Sequence, residues 1–319
     1  MIMQSIGLLI EFKDGLVKKA NFGMATAARG ENRHLIALVV DASAGEAKAS
    51  LEAYGVARIL NISTGKHGWD PAIHSAAVVA AIEQFEITNL IGLTSPAGRE
   101  LLPRIAARLE APLIMDCTEI DLDDHRAKTS QYSGKTIASI ALTGRHFIYG
   151  IRANVVTPNK APTEAEIVDF AFEENRDTGY QVLETRSDAS GAQYLAESDI
   201  IISGGRGLKS GENFNLLFDC ARKMNASVGA SRVAVDNGWV PYAMQVGQTG
   251  VKVNPKVYIA VGISGSVQHF AGMKTAKMII AINSDANAAI MANCDYYAVG
   301  DLFEILPELK KELDENRQG

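Results

Sequence analysis

Short apolar runs alternate with alanine-rich stretches along the first half of the chain, and this alternation constrains the fold more than any other feature. Strands buried on both faces of a parallel sheet are continuous apolar runs, and helices usually connect them. The strand-like runs are Ile6–Glu11, Leu35–Val40, Arg58–Leu60 and Asn89–Leu93, and the helix-like stretches are Ala20–Arg29, Ala44–Ala53, Pro71–Phe85 and Gly98–Leu109. Asp70 and Pro71 suit an N-cap and a first helical residue. The pattern predicts a Rossmann-like α/β domain.

The pattern changes between Ala127 and Arg186. Turn-type residues separate two extended runs, Thr136–Leu142 and His146–Val155, which predicts an antiparallel excursion at the edge of the sheet. The segment Thr157–Arg186 contains prolines and charges but little regular period. We therefore expect it to hold the last piece of the first domain and a linker.

The alternation resumes in the second half, where Asp188–Glu197 is predicted as a helix leading into the strand Asp199–Ser203. Further segments of the same kind follow at Gly211–Met224, Ser231–Val235, Lys256–Gly262, Gln268–Met273, Met278–Asn283 and Tyr296–Val299. Since a domain usually has about 100–200 residues, the 319 residues of the chain suit two of them. We predict an N-terminal, nucleotide-binding-like α/β domain with a linker at residues 1–187, and a second parallel-sheet domain at residues 188–319.

Composition and charge exclude several classes of protein. Hydrophobic residues make up 47% of the chain and charged residues 21%, which is typical of a globular protein and not of a disordered or fibrous one. The 31 lysines and arginines against 37 aspartates and glutamates give a net charge of −6. This balance argues against a nucleic-acid partner, because general nucleic-acid binders neutralise phosphates with cations.

The cysteines and the apolar runs indicate the cellular compartment of the protein. Cys117, Cys220 and Cys294 are widely spaced and form no CxxC pair, so the sequence indicates neither a disulfide framework nor a metal site. The longest apolar runs have the length of strands and fall short of the roughly 18 residues of a membrane helix. The first residues lack the basic segment and cleavage site of a signal peptide. We expect a cytoplasmic protein of bacterial or archaeal type without membrane insertion.

Four glycine-containing segments stand out in the second half of the chain: Ser203–Gly211, Val228–Arg232, Val246–Gly250 and Val261–His269. None of them matches a P-loop, a GxGxxG fingerprint or a GxSxG nucleophile elbow. They lie at predicted strand ends, and ligands of open α/β sheets bind beyond the carboxyl ends of strands. Each segment combines glycines, which allow close backbone approach, with hydroxyl, amide or guanidinium side chains.

These residue types suit a ligand that carries phosphates and a heteroaromatic ring. Backbone N–H groups and helix N-termini can bind a pyrophosphate, and glutamine, serine, threonine and histidine side chains can hydrogen-bond the edge of a ring. The segments contain no nucleophile–base pair. The residues alone therefore predict a dinucleotide cofactor site in the second domain, with FAD and NAD as equal alternatives.

The four segments, in this order, closely resemble the alpha subunit of electron-transfer flavoprotein. The matching motifs are SGGRGLKSGENF at 203–214, VGASR and VDNGWVP within 228–241, QVGQTG at 245–250, IAVGISGSVQHFAGMK at 259–274, IIAINSD at 279–285 and VGDLFEILPEL at 299–309. The resemblance covers essentially all of the second domain. In the first domain it rests mainly on ELLPRIAARLEAPLIMD at 100–116, and Ile10–Phe12 departs from the Ala-Glu-His-like strand end of the family.

The resemblance implies an electron carrier that does not transform a substrate by itself. It implies a heterodimer in which this chain holds one FAD, its first domain docks the beta subunit, and the beta subunit holds AMP or a second FAD. Electrons would come from flavin dehydrogenases, such as the acyl-CoA dehydrogenases of fatty acid beta-oxidation, and pass to a quinone oxidoreductase. An electron-bifurcating or nitrogen-fixation-type flavoprotein linked to NADH and ferredoxin is an alternative.

The resemblance also implies a set of FAD contacts: Arg206, Ser231, Arg232, Val246, Gly247, Gln248, Thr249, Ser264, Gly265, Ser266, Val267, Gln268, His269, Asn283, Asp301 and Leu302. Arg232 would tune the flavin by stabilising negative charge, since arginine stays charged throughout a redox cycle. His269 would hydrogen-bond the pyrimidine edge of the flavin. Gln248 and Thr249 would lie on its N5 and O4 side.

The other implied contacts would hold the remainder of the cofactor. Backbone N–H groups of Ser264–Ser266 would face a phosphate or the ribityl chain, and Arg206 would contact the phosphates. Asn283 and Asp301 would bind the adenosine half, as acidic residues at strand ends often bind ribose hydroxyls. For Asp301 the alternative is an N-cap of the following helix. Lys209 would either contact the phosphates beside Arg206 or be a solvated side chain.

Two other classes of protein remain as alternatives. An NAD-dependent oxidoreductase would have an acid–base residue in a substrate pocket, and the sequence offers no candidate pair. A non-redox nucleotide-binding or subunit-interaction protein would purify without the colour of a flavin.

Overall fold

The structure is a computed structural model that describes residues 3–65, 68–132, 136–174, 178–184 and 195–315. Contacts within the chain divide it into two units: Met1–Gln131 with Thr136–Ser187, and Tyr132–Lys135 with Asp188–Gly319. Both units are α/β structures built on a sheet rich in parallel strands. This confirms the predicted fold class.

The strands of the first unit are β1 (Gln4–Leu9), β2 (Phe12–Lys13), β3 (Leu16–Val17), β4 (Arg33–Val40), β5 (Val56–Ser63), β6 (Asn89–Leu93), β7 (Leu113–Asp121), β8 (Arg126–Gln131), β9 (Thr136–Ala141), β10 (Phe147–Ile151) and β11 (Glu166–Ala171). Its helices are α1 (Ala20–Ala28), α2 (Ala44–Glu52), α3 (Pro71–Gln84) and α4 (Pro96–Arg108). Among the described residues, nine of these strands form one sheet in the order β11-β5-β4-β1-β6-β10-β7-β8-β9.

Neighbouring strands from β11 to β7 run parallel, whereas β8 and β9 extend the sheet as antiparallel strands. The central strands are largely apolar, and all five residues of β6 and of β10 are buried, including the polar Asn89 at the start of β6. The strands and helices predicted for residues 6–109 are therefore confirmed in kind, with ends that differ by a few residues.

One prediction for the middle of the chain is wrong. The run His146–Val155 contains β10, which lies between β6 and β7 as a parallel central strand and not in an antiparallel excursion. Its unbroken burial explains the position, and β8 instead pairs with β9 at the edge. The segment Thr157–Arg186 contains β11, which pairs with β5 at the opposite edge, so it holds the last piece of the first unit as expected. β11 alternates partly buried and exposed residues, so it lacks a continuous apolar run.

Asp70 is the N-cap of α3, as predicted, and Pro71 is the first helical residue. The Asp70 Oδ1 atom accepts hydrogen bonds from the backbone N–H groups of Ala72 (3.0 Å) and Ile73 (3.2 Å). The Thr178 hydroxyl donates to Oδ2 at 2.6 Å. Burial acts to raise the pKa of this carboxyl, but these three hydrogen bonds outweigh burial and hold the pKa below its ordinary value.

We expect Asp70→Ala to lower the free energy of unfolding by about 1 kcal/mol at neutral pH, the usual cost of losing an N-cap. Because the pKa of Asp70 is lower in the folded state, its contribution is present above the ordinary carboxyl pKa and is lost as the pH falls through the folded value. Denaturant unfolding at pH 7 and at acidic pH measures both effects. Asp124→Ala, which removes an exposed carboxylate, is the control. Equal destabilisation by the two variants would contradict the expectation.

The second unit contains β12 (Ile200–Gly204), β13 (Ser227–Ala230), β14 (Val257–Val261), β15 (Met278–Asn283) and β16 (Tyr296–Val299), with helices α5 (Phe214–Met224), α6 (Arg232–Asp236), α7 (Val267–Met273) and α8 (Leu302–Glu315). Its sheet has the order β13-β12-β14-β15-β16, and every pair is parallel. The predicted helix Asp188–Glu197 lies mostly outside the described residues, and its last part, Leu195–Glu197, is a 3₁₀ helix.

The register of the second sheet brings the ends of its strands together. Gly204 lies opposite Ala230 on one side and Val261 on the other, and Val261 lies opposite Ile282. Each of these residues is at or next to the carboxyl end of its strand. The segments that follow the strands therefore begin at one edge of the sheet, as expected for a ligand site in an open α/β fold.

The three cysteines are free. Burial raises the pKa of Cys117 to about 12 and also raises the pKa values of Cys220 and Cys294. A thiol with a raised pKa has little of the reactive thiolate at neutral pH.

No helix within the described ranges is long and apolar enough to cross a membrane.

Candidate functional site

A cavity of about 660 Å³ lies in the second unit, at the edge of the sheet where β12 to β15 end. Each of the four glycine-containing segments contributes to its wall. The lining residues are Gly205, Arg206, Gly207, Lys209, Ser231, Arg232, Val233, Gln245, Val246, Gly247, Gln248, Thr249, Gly262, Ile263, Ser264, Ser266, Gln268, His269, Asn283, Asp285 and Ala288.

The segments after β12 and β14 pack backbone against backbone. The N–H of Gly205 donates to the carbonyl of Val261 at 2.9 Å, and the N–H of Gly207 donates to the carbonyl of Gly262 at 3.0 Å. A Cβ atom at Gly205 would lie 2.3 Å from the Gly262 oxygen, and one at Gly207 would lie 2.7 Å from the Gly262 Cα. The glycines are therefore required by the close approach of two backbones at the cavity wall.

The segment Val246–Gly250 is held against α7. The N–H of Gln248 donates to the carbonyl of Gln268 at 2.8 Å. A Cβ atom at Gly272 would lie 2.4 Å from the Gly247 nitrogen, so this helix also needs a glycine where the loop crosses it. Within the loop, the Gln245 side chain donates to the Thr249 hydroxyl at 3.0 Å. These contacts fix the position of Gln248 and Thr249, the predicted partners of the flavin N5 and O4 side.

The segment after β14 turns sharply into α7 at Gly265, which has φ +82°. Its backbone packs so closely against the next loop that a Cβ atom would lie 2.4 Å from the Ile290 nitrogen. Ser266 then caps α7 by accepting from the N–H of His269 at 3.4 Å. The turn thus directs Ser264, Ser266 and His269 to the cavity wall.

His269 is a buried, neutral member of the wall. Its Nε2 atom lies 2.9 Å from the hydroxyl of Tyr258, a fully buried residue of β14. Its Nδ1 atom is also buried and has no hydrogen-bond partner in the described part of the chain. Burial lowers the pKa of His269 to about 4, and the backbone of Val246 opposes the shift only in part. The imidazole is therefore uncharged at neutral pH.

The charged residues of the wall favour an anionic ligand. Arg206, Lys209 and Arg232 are cations, and Asp285 is the one acidic residue among the lining side chains. Arg232 is 68% exposed and pairs with Asp236 at 3.2 Å. Lys209 is exposed, and its ammonium group lies 5.0 Å from the centre of the Phe303 ring. Backbone N–H groups and guanidinium groups together are the usual partners of phosphates.

Most of the predicted site residues line this one cavity. They are Arg206, Ser231, Arg232, Val246, Gly247, Gln248, Thr249, Ser264, Ser266, Gln268, His269 and Asn283. Two others, Gly265 and Val267, lie in the same segment between Ser264 and Gln268 without lining the cavity. Ser231 has a second role as the N-cap of α6. Asn283 also has local hydrogen bonds, donating to the Ile263 carbonyl at 2.9 Å.

Asp301 and Leu302 are not among the lining residues, although both follow β16 at the same end of the sheet. The Asp301 carboxylate accepts from the N–H of Phe303 at 2.9 Å, which is the capping role considered as its alternative. Leu302 is buried in the hydrophobic core with Leu306. Their contact with the adenosine half of a cofactor remains a prediction.

Several lining residues were not among the predicted contacts: Gly205, Gly207, Val233, Gln245, Gly262, Ile263, Asp285 and Ala288. All of these except Ala288 and Val233 belong to the motifs that drew attention to the site. Their backbone role could have been inferred from the glycines, because a glycine beside a ligand loop often marks close backbone approach. Val233 and Ala288 carry no chemical signal and are placed only by the fold.

Comparison with known proteins agrees with this organisation. The electron transfer flavoprotein domain family matches residues 6–175, and the electron transfer flavoprotein FAD-binding domain family matches residues 194–274. The chain belongs to the electron transfer flavoprotein alpha-subunit family. A probable mitochondrial electron transfer flavoprotein subunit alpha from Caenorhabditis elegans is 37% identical over 290 residues, 90% of this chain and 87% of that protein.

Bacterial alpha subunits show the same relationship over nearly the whole chain. The electron transfer flavoprotein subunit alpha of Bacillus subtilis is 33% identical over 315 residues, covering 96% of each protein. That of Syntrophomonas wolfei is 30% identical over 315 residues, covering 98% of this chain and 99% of the relative. The resemblance seen in the motifs therefore extends through both units.

Proposed function

We propose that this chain holds one FAD in the cavity of its second unit and acts as the alpha subunit of a heterodimeric electron carrier. When bound, FAD supplies a ring that accepts and releases electrons. The observation that carries the proposal is the convergence of four glycine segments on one cavity with three cations in its wall. Membership of the FAD-binding domain family supports the choice of flavin over NAD.

The residues of the cavity fit the two chemical parts of this cofactor. The glycine segments and Arg206 offer N–H donors to the phosphates. The Nδ1 atom of His269 is buried and has no hydrogen-bond partner in the described chain, which costs free energy. A hydrogen bond from this atom to the edge of the flavin ring would remove that cost. Arg232 provides positive charge that stabilises an electron-rich ring, and Gln248 and Thr249 offer side-chain hydrogen bonds from a fixed loop.

We further propose the beta subunit of the same family as the partner, docked on the first unit, with AMP in the beta subunit. Flavin dehydrogenases such as acyl-CoA dehydrogenases would be the donors, and a quinone oxidoreductase the acceptor. Membership of the electron transfer flavoprotein family supports a carrier that does not transform a substrate by itself. Relatives include mitochondrial and bacterial proteins, and we propose a cytoplasmic location of bacterial or archaeal type for this chain.

Anaerobic reduction of the purified heterodimer tests the proposed donors. Samples receive either a catalytic amount of an acyl-CoA dehydrogenase with its acyl-CoA, or NADH with and without ferredoxin, and the flavin absorbance is followed. We expect bleaching by the dehydrogenase pair, reversed by a quinone oxidoreductase with a quinone, and none by NADH alone. Bleaching by NADH without the dehydrogenase would contradict the proposed donors and favour a bifurcating flavoprotein.

A further inference from the structure

Tyr258 and His269 form a buried polar pair behind the wall of the cavity. Tyr258 belongs to β14 and is fully buried, and His269 belongs to α7 and is 5% exposed. Their hydroxyl and Nε2 atoms are 2.9 Å apart, within hydrogen-bonding distance. The motifs of the sequence marked His269 but not Tyr258, because a tyrosine within an apolar strand reads as a core residue.

The direction of this hydrogen bond follows from the state of both groups. Burial raises the pKa of Tyr258, so its hydroxyl keeps its proton and can donate. The buried Ser203 hydroxyl lies near enough to lower the pKa of Tyr258 in part, the direction expected when a hydroxyl faces the tyrosine oxygen as a donor, although its geometry is not that of an ordinary hydrogen bond. Nε2 of the neutral His269 is therefore the acceptor that the Tyr258 hydroxyl meets. A neutral imidazole that accepts at one nitrogen carries its proton on the other.

We propose that Tyr258 is a positioning residue that fixes His269 as the tautomer protonated on Nδ1, so that an uncharged imidazole donates a hydrogen bond to the bound flavin. The hydrogen bond from His269 to the flavin rests on the proposed function, since the donor needs an acceptor at the edge of the flavin ring. The backbone of Val246, which also lines the cavity, acts to raise the pKa of His269 but makes no hydrogen bond of ordinary geometry with Nδ1.

The pair has a chemical consequence for the cofactor. A histidine free to exchange tautomers would present a donor part of the time and a lone pair for the rest. A lone pair facing a ring carbonyl oxygen is repulsive, whereas an N–H stabilises that oxygen as the ring gains electrons. Tyr258 would thus influence the flavin without touching it, by keeping the donor in place.

Two-bond ¹⁵N–¹H spectra of histidine-labelled heterodimer test the tautomer directly. The spectra are recorded at neutral pH with and without FAD, and His269→Gln identifies the signal of His269 among the six histidines of this chain. We expect a single tautomer with the proton on Nδ1 in the wild type, and a mixture in Tyr258→Phe. A wild-type proton on Nε2, or an unchanged tautomer in Tyr258→Phe, would overturn the proposal. The tautomer of His269 seen in the wild-type spectra tests the proposal even if Tyr258→Phe fails to fold.

The reduction potential of the flavin tests whether His269 donates a hydrogen bond to it. Tyr258→Phe should make one-electron reduction of the bound flavin about tenfold less favourable, a fall of about 59 mV. Tyr149→Phe is a matched control, because Tyr149 of the first unit is a fully buried tyrosine whose hydroxyl has no partner among the described residues. Equal potentials in wild type and Tyr258→Phe would overturn the proposed donor role. A wild-type heterodimer without FAD would instead refute the proposed function and leave the tautomer result to decide the rest.

Discussion

Gly265→Ala is expected to abolish retention of FAD and to lower the stability of the protein. Gly265 has φ +82°, and an added Cβ atom would lie 2.4 Å from the backbone nitrogen of Ile290. An L-residue in the left-handed region costs about 1–2 kcal/mol, and overpacking typically costs about 1–3 kcal/mol more. Relief of this clash would move the turn that places Ser264, Ser266 and His269 at the cavity wall.

Thermal unfolding and the flavin retained after desalting measure the two effects of Gly265→Ala. Gly45→Ala is the control, because Gly45 lies on α2 of the first unit and an added Cβ atom would have nothing within 4 Å. Alanine in a helix is favoured over glycine by roughly 0.5–1 kcal/mol, so the control should be neutral or slightly stabilised. Wild-type flavin content and stability in Gly265→Ala would show that the turn does not shape the site.

Arg232→Ala is expected to lower the reduction potential of the bound flavin. An electron added to the ring is stabilised by a nearby cation, and arginine provides that charge at every working pH. Two unit charges about 4 Å apart interact by roughly 1 kcal/mol in water and roughly 4 kcal/mol at an effective dielectric of 20. Because the Arg232 side chain is 68% exposed, solvent screens it, and we expect a fall of about 60–120 mV, the equivalent of roughly 1.4–2.8 kcal/mol.

Two further variants separate local charge from other effects of Arg232→Ala. Arg232→Lys keeps the charge and should retain most of the potential. Arg222→Ala removes an arginine of α5 that pairs with Asp219, is 75% exposed and does not line the cavity. It changes the net charge equally and should leave the potential near that of the wild type. Spectroelectrochemical titration measures all three variants, and equal shifts in Arg232→Ala and Arg222→Ala would refute a local role.

Buried strands were the most predictable part of the fold. Leu35–Val40 is an unbroken apolar run and Asn89–Leu93 is apolar after its first residue, and both lie within parallel strands of the first sheet. The position of β10 could not be read in the same way, because a run of five apolar residues does not reveal which strands flank it. β11 was missed because an edge strand exposes alternate residues and so lacks the continuous pattern.

The site was predictable where its chemistry is carried by residue type. His269 and Arg232 lie in recognisable motifs, and the fold brings both to one cavity. Tyr258 was not predictable, because its role depends on a 2.9 Å contact between a strand and a helix that no local pattern encodes. The local cap formed by Asp301 was foreseen as an alternative, since an acidic residue just before a helix is a common N-cap.

The nucleotide content of the purified heterodimer tests the central claim most directly. The chain is produced together with an electron transfer flavoprotein beta subunit, and the nucleotides released on denaturation are separated and quantified. We predict one FAD and one AMP per heterodimer, with the FAD lost in Gly265→Ala and retained in Gly45→Ala. Two FAD per heterodimer would contradict the single-flavin carrier and favour bifurcation. A gently purified heterodimer that contains no flavin would contradict the assignment of the cavity itself.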